Sequence, residues 1–471
     1  MESGVEEAAR VAREQRKQLL DAMLAKGAFK RKQLIQPRPA GQDKIPLSLA
    51  QQRIWFLDQL ASDPAVHNVP NATRFYTALD MSALGLAINE VIKRHEVLRT
   101  VFDMHDAQLC QVVLPALTVE PVLVDLTQQL STEPGSSVLF ERIDRDVASP
   151  FDLRTGPLIR AHVYHCGHDD FVLLMTVHHI VFDAWSIGLL YKEMLTIYRA
   201  LLEGRAHGLP ALSLQYGDFA RWQAEQLGGQ SWSGQLAYWR DQLVQMPEPL
   251  ELPFDLSSYA MADSAGAVLP FAVDERVATR LKQLAAANDA TLFMVLATAF
   301  YVVLHQYSGQ SDICIGVPVA GRGRLELEPV IGLFTNMLVI RTQIPVDETF
   351  AGLLKVVKKN LLRAYEHQDV PYEKLMELAS AERAVGPLFQ VVFSMQGTAE
   401  NTARARVSES QVASVNWHGN RYSKYPFSLF MQDTAEGLVG SFEYQTSLFH
   451  KETMHNLSSN FLHLLAQIAE C

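Results

Sequence analysis

A seven-residue apolar run, Phe171–Val177 (FVLLMTV), leads into two histidines, and an amphipathic stretch from Ile187 to Leu202 follows. A short, nearly continuous apolar run of this kind marks a buried strand. The apolar spacing that follows it has the period of a helix. A buried strand feeding an amphipathic helix needs cover from further elements, which places the chain among layered α/β folds.

The alternation recurs on both sides of this unit. Ser48 precedes LAQQRIWFLDQL, which reads as a helix, and Leu84 to His95 reads as another, leading into the strand-like VLRTVF. Tyr216 to about Gln235 is polar and glycine-bearing and reads as a crossover. Beyond it, helices are expected over Val277–Ala287, Leu292–Tyr307 and Phe350–Glu366, with a closing helix after Lys451. Strands are expected over Asp312–Val319, Met337–Gln343, Gln390–Met395 and Leu438–Tyr444. No short-period repeat is visible. The expected organisation is an N-terminal helix and linker over 1–44, a first lobe over 45–215, a crossover over 216–235 and a second lobe over 236–471.

The N-terminal segment stands apart in charge. Residues 1–44 carry a net +4 and the remainder −15, which makes up the −11 of the whole chain. Val5 to Leu24 reads as a thin, alanine-rich amphipathic helix stopped near Gly27, with Pro37 and Pro39 in a linker. It is either a surface helix packed on its own domain or a docking element for another protein. The chain starts at Met1 with no carrier sequence before it, which suits the first domain of an assembly or an excised one.

Composition excludes several classes. The acidic balance argues against nucleic acid as a partner. No apolar run reaches the roughly 18 residues of a membrane span, and no secretory signal opens the chain. The cysteines, Cys110, Cys166, Cys314 and Cys471, are far apart, which argues against a disulfide framework or a zinc site and for a reducing cytoplasm.

The chemistry concentrates in HHIVFDAWS, His178 to Ser186. Strand ends that feed loops expose reactive groups, and a histidine there can act as a general base near neutral pH. Asp183 follows His179 by four residues and can fix the loop or orient an imidazole. Ser186 is placed to cap the next helix. A purely structural pair of histidines is the competing reading. Zinc is a weaker rival, because adjacent histidines on an extended chain point to opposite faces and HExxH spacing is absent.

HHIVFDAWS resembles the HHxxxDGxS motif of nonribosomal peptide synthetase condensation domains. Seven further segments resemble that family's motifs in its order: SLAQQRIWFL (Ser48–Leu57), RHEVLRTVF (Arg94–Phe102), YGDFARW (Tyr216–Trp222), GVPVAGR (Gly316–Arg322), IGLFTNMLVIR (Ile331–Arg341), HQDVPYEKL (His367–Leu375) and PLFQVVFSMQ (Pro387–Gln396). The resemblance spans roughly residues 45 to 471. It implies two lobes like chloramphenicol acetyltransferase, arranged as a V-shaped pseudodimer around a central tunnel. It implies an acyltransferase that joins a thioester-borne acyl group to an aminoacyl amine. His179 would be catalytic, with His178 and Asp183 beside it, and Asp183 would pair with Arg99 or, alternatively, Arg94. Ser186 and Ala184 would support the motif, and Asn336 and Trp185 would line the tunnel. No metal and no covalent cofactor are implied. Phosphopantetheine would arrive on partner carrier domains, with an adenylation domain as neighbour and an acyl-CoA as donor.

The sequence departs from the family pattern in places. Ala184 replaces the motif glycine and would be strained in a left-handed conformation. A further family run is reduced to AERAVG (Ala381–Gly386), and Ser428 stands where aspartate is common. LGGQS (Leu227–Ser231) resembles a carrier's phosphopantetheine loop but lacks room for a carrier's own helical bundle. RHEVLRTVF resembles the motif of domains that take L-configured or fatty acyl donors, which favours a starter domain that N-acylates the first amino acid of a lipopeptide. An elongating domain, an epimerisation domain and a non-catalytic recruiting module of the same fold are the alternatives.

Overall fold

The structure, a computed structural model, describes residues 34–470 apart from 40, 42–43, 62, 106, 133–136, 228–231, 257–263, 346, 381–386, 397–411, 416–421 and 435–436. The expected helix over Val5–Leu24, the AERAVG run and all of LGGQS beyond Leu227 lie outside the described residues. The chain divides into two units, Met1–Pro37 and Arg38–Cys471, and every strand and helix of the two lobes belongs to the second unit.

Strands are numbered in chain order: β1 Lys44–Pro46, β2 Asn68–Phe75, β3 Thr100–His105, β4 Gln108–Val113, β5 Val122–Asp125, β6 Ile159–Gly167, β7 Asp170–His178, β8 Gly266–Ala272, β9 Asp312–Val319, β10 Asn336–Gln343, β11 Val391–Gln396, β12 Val412–Ser414, β13 Phe427–Thr434 and β14 Gly437–Gln445. They form three sheets: a small antiparallel β1-β4-β3 sheet, a five-stranded sheet in the order β12-β2-β7-β6-β5, and a six-stranded sheet in the order β10-β9-β11-β13-β14-β8. Both larger sheets are mixed, with β5 parallel to β6 in one and β9, β11 and β13 mutually parallel in the other. This is the expected α/β architecture of two lobes.

The apolar run falls on β7, at the centre of the five-stranded sheet. Val172 and Leu174 pack with Leu139, Ile143 and Val147 of the helix Ser137–Val147. Because side chains alternate across a strand, the intervening Leu173, Met175 and Val177, also buried, belong to the opposite face. That helix, together with β2, β5, β6, β8 and β13, was not among the sequence expectations. In β2 the apolar content is diluted by polar residues (NVPNATRF), β5 is only four residues long, and β8 (GAVLPFA) is interrupted by a proline.

Helices with a strong local signal match closely. Leu49–Leu60 is helical as expected, started by a capping box in which Ser48 Oγ accepts from Gln51 N and Gln51 Oε1 accepts from Ser48 N. Leu292–Ser308 is apolar around its whole circumference and is correspondingly a core helix. It is capped by Thr291 and closed by Gly309 at φ 68°. VLRTVF differs from expectation. Glu96–Arg99 form a 3-10 turn and the strand begins only at Thr100. The polar crossover contains the helix Tyr216–Leu227 and the start of Ser233–Leu243.

One strand crosses between lobes. β12 follows the second lobe's β11 in sequence yet pairs antiparallel with β2, with Ala413 opposite Arg74.

At the centre of the second lobe, the Phe389 ring lies on β9 where Gly316 has no side chain. A Cβ there would come within 2.3 Å of the ring. We expect Gly316→Ala to destabilise the fold by about 1–3 kcal/mol through overpacking. Thermal unfolding measures it, and an unchanged transition would mean that the ring moves aside freely.

Candidate active site

β7 ends at His178, and the chain turns through a single 3-10 turn, His179–Val181, before the helix Ala184–Leu202. The turn separates the environments of the two histidines. His178 is buried, whereas His179 keeps part of its surface in solvent.

The hydrogen bonds fix the tautomers. The Phe182 carbonyl, 2.6 Å from His179 Nδ1, can only accept, so Nδ1 carries the proton and the neutral ring presents its lone pair at Nε2. His178 has the opposite arrangement. Its Nδ1 accepts from Ile180 N at 3.2 Å and its Nε2–H points at Asp58 Oδ1, 3.3 Å away. Both of its nitrogens are engaged, which makes His178 a buried post for the turn. His67 stands edge-on to it at 5.8 Å between ring centroids.

The opening motif braces this turn. Asp58 and Gln51 share the helix Leu49–Leu60, and Gln51 Nε2 donates to Ile180 O at 3.2 Å.

All three imidazoles are held neutral. Burial pushes His67 down to about 3 and lowers His178 as well, although Asp58 opposes the second shift. His179 lies well below its ordinary value, first through desolvation and then through the charge of Lys424. Among the described residues no group of three or more His, Cys, Asp or Glu could hold a metal ion.

Asp183 is fully buried and caps the helix, accepting from Ser186 N at 2.9 Å. Ser186 is therefore the recipient of the cap, and its Oγ lies 2.7 Å from the same carboxylate. Ala184 is the first helical residue and has no positive φ, so the expected strain at this position does not arise.

The expected pairing of Asp183 with Arg99 is not formed. Its partner is Arg322, whose Nη1 and Nη2 lie 2.8 and 3.1 Å from the two carboxylate oxygens. Arg99 lies at the end of the 3-10 turn and folds back to the Leu114 carbonyl and towards Glu96. Arg94, the alternate, pairs with Glu193 at 2.9 Å. In the sequence Arg322 stands out only as the last residue of GVPVAGR, and that motif position is the one signal that could have pointed to its role.

Arg322 opens the segment that stitches the second lobe to the first. Along it, Glu328 O accepts from Trp185 Nε1 (3.1 Å) and Ile331 N donates to His95 Nδ1 (3.4 Å). Gly332 N donates to Ser186 Oγ (3.1 Å), Leu333 O accepts from Tyr216 Oη (2.9 Å) and Phe334 N donates to Asp183 (3.0 Å). Gly332 lies against the Tyr216 ring, where a Cβ would come within 2.1 Å. Trp185 thus clasps the lobes.

Asn336 opens β10 and spends its amide on structure, donating to Gln368 O and Val370 O and accepting from Tyr372 N. It also lines a cavity with Ser48, Trp222, Arg324 and Glu373, to which His179 does not contribute. Ser428 is buried on β13. No single helix among the described residues is long and apolar enough to cross a membrane.

Comparison with known proteins is consistent across sequence and structure. Residues 41–471 match the family model described as Condensation domain. One subunit of the linear gramicidin synthase of Brevibacillus parabrevis is 40% identical over 91% of the chain, and the chain spans 6% of that protein's length. Among solved structures, the X-domain from teicoplanin biosynthesis is similar at a TM-score of 0.81, with 24% identity over 93% of this chain and 97% of that one. The starter condensation domain of rhizomide synthetase, in complex with C8-CoA, is similar at 0.77, with 20% identity over 91% and 95%. At these identities the structural likeness establishes the fold.

The Asp183–Arg322 pair makes a sharp expectation. Removing one partner of a buried pair strands the other charge, so Asp183→Ala should cost about 3–5 kcal/mol. Denaturant unfolding measures the loss. A melting curve like that of the unsubstituted protein would mean that the carboxylate is dispensable at the junction.

Proposed function

Because the chain belongs to the condensation-domain family, the amide-bond-forming acyltransferases of nonribosomal peptide synthetases, we propose that its own reaction centres on His179. The acceptor amine attacks the carbonyl carbon of the donor thioester, forming the C–N bond. The proton leaving nitrogen passes to His179 Nε2, collapse of the tetrahedral intermediate breaks the C–S bond, and the departing sulfur takes that proton from His179 to leave as the thiol. The observation that carries this reading is the bond from His179 Nδ1–H to the Phe182 carbonyl. It leaves Nε2 as the only basic atom of a ring that burial keeps neutral.

Asp183 and Arg322 act through the turn, by holding it and the second lobe in register. Both substrates arrive tethered, so orientation contributes alongside proton transfer. Partner carrier domains would supply the phosphopantetheine arms, an adenylation domain would load the acceptor, and the compartment would be the reducing cytoplasm. Asn336 and Trp185 would flank the substrate path.

The finer reading is a starter domain that accepts a fatty acyl-CoA. RHEVLRTVF supports an L-configured or fatty acyl donor, and the rhizomide starter domain, which has this fold, was solved with C8-CoA. An elongating domain, which takes its donor from a carrier, satisfies the same motif.

Two measurements test these readings. His179→Ala should lower formation of the acyl-aminoacyl carrier by roughly 100-fold or more, within the range of general acid–base catalysis. Turnover near that of the unsubstituted protein would remove His179 from the role. Acyl-CoAs of graded length, offered with an aminoacyl carrier and followed by mass, test the donor. At about 0.8 kcal/mol per buried methylene, turnover should rise steeply with chain length to a single optimum. Use of a carrier-bound donor with no use of acyl-CoA would establish the elongating reading instead.

A further inference from the structure

The histidine turn is held at both of its ends, and the two supports come from different lobes. Gln51 Nε2, on the first-lobe helix Leu49–Leu60, donates to Ile180 O at 3.2 Å. Phe334 N, in the second-lobe segment, donates to Asp183 at 3.0 Å. Both supports lead back to a single hydroxyl outside the turn. Tyr216 opens the crossover helix Tyr216–Leu227, and its Oη lies 2.8 Å from Ser48 Oγ and 2.9 Å from Leu333 O. Ser48 is bound to Gln51 twice, through the capping box, and Leu333 immediately precedes Phe334.

The direction of each bond follows from its partner. The Leu333 carbonyl can only accept, so Tyr216 Oη–H donates to it and the phenol oxygen accepts from Ser48 Oγ–H. Ser48 Oγ in turn accepts from Gln51 N at 3.1 Å. The bonds close a circuit from Gln51 to Ile180, along the turn to Asp183, through Phe334 and Leu333 to Tyr216, and by way of Ser48 back to Gln51. Its four side chains, Ser48, Gln51, Asp183 and Tyr216, are all buried, and a bond lost there leaves its partner with nothing in exchange. The aromatic ring of Tyr216 is seated independently of its hydroxyl. Gly332 lies against one part of it, and Phe334 meets it edge-on at 4.9 Å between centroids.

We propose that Tyr216 is a positioning residue of the acyl transfer, whose hydroxyl ties the first-lobe and second-lobe supports of the histidine turn together and so fixes where His179 Nε2 stands. The inference rests on His179 as the base. Tyr216 acts through Gln51 and Phe334 rather than by touching the imidazole. Without the hydroxyl, the Leu333 carbonyl and the Ser48 hydroxyl lose a shared partner, and the two supports are free to shift separately. Small misplacements of reacting groups are expensive, because the rate depends on their alignment.

Tyr216→Phe tests this, since it removes one oxygen and leaves the packed ring. Two readouts are taken on the full chain, at a temperature where unfolding curves show the variant to be folded. The first is the His179 Nδ1–H proton resonance, assigned by its loss in His179→Gln, whose exchange with solvent reports the bond to Phe182 O. The second is kcat, separated from KM for the aminoacyl carrier. In Tyr216→Phe the Nδ1 proton should exchange faster, and kcat should fall about tenfold with KM little changed. Combined with Gln51→Leu, the loss in kcat should be smaller than the product of the two single losses, because both substitutions open the same circuit. An Nδ1 proton that exchanges as in the unsubstituted protein overturns the inference, whatever happens to kcat. Faster exchange with kcat unchanged means that the hydroxyl holds the imidazole as inferred and that the assignment of His179 as base fails instead. Should Tyr216→Phe not fold, Ser48→Ala, which breaks only the first-lobe arm of the circuit, carries the same two readouts.

Discussion

The geometry of this molecule depends on one buried carboxylate. Asp183 caps the helix Ala184–Leu202, holds Ser186, receives the Phe334 amide and meets both terminal nitrogens of Arg322. Taking the two charges out of water costs several kcal/mol for each, and a well-packed apolar pair can be as stable. The pair is therefore better understood through what it specifies than through what it stabilises. An ion pair with this many directed bonds fits one orientation of the Arg322–Phe334 segment, and His179 lies four residues before Asp183. Whatever displaces the second lobe at this point displaces the end of β7 and the imidazole with it.

The histidine pair shows how adjacent identical residues receive different tasks. On an extended strand, neighbours face opposite sides. Here the strand ends between them, so His178 keeps the buried side and the 3-10 turn carries His179 out. Burial then finds both nitrogens of His178 a partner, Ile180 N and Asp58. Among the described residues His179 receives a partner for Nδ1 only. On the proposed mechanism, the difference between a structural imidazole and a reactive one is thus a difference in how many nitrogens the backbone and its neighbours satisfy. The sequence HH carries no trace of it.

The features legible in the sequence were those encoded within a dozen residues. The helix Leu49–Leu60, the strongly apolar helix Leu292–Ser308 and the buried β7 all declare themselves through their apolar pattern. The family motifs likewise drew attention to the histidine turn. What was illegible is encoded between distant segments. Asp183 and Arg322 are 139 residues apart, and apart from its place at the end of GVPVAGR nothing in the sequence singles out Arg322 among the arginines. Arg99 was a reasonable partner by motif, yet the 3-10 turn that precedes it sends its guanidinium to a carbonyl. β12 reaches the first lobe from far along the chain, and no local pattern announces a crossing. Sequence also placed the helix cap at Ser186, when it is the aspartate three residues earlier.

The electrostatics of the histidine turn bear on how His179 would act as the proposed base. A general base is most effective when its protonation midpoint lies near the operating pH, and burial together with the Lys424 charge moves His179 well below that. The ring is then almost always in the correct state but is a weak acceptor. A tethered amine, by contrast, gains from being held against the thioester carbonyl, and well-oriented reactants can recover a large part of a barrier. The structure invests heavily on that side. Phe182 holds the His179 imidazole, Asp58, Gln51 and Ile180 brace its turn through His178 and the backbone, and Asp183 with Arg322 fixes the lobe opposite. A site built this way relies on placement first and on proton affinity second. Loosening the lobe junction should accordingly harm turnover even where His179 keeps its charge state.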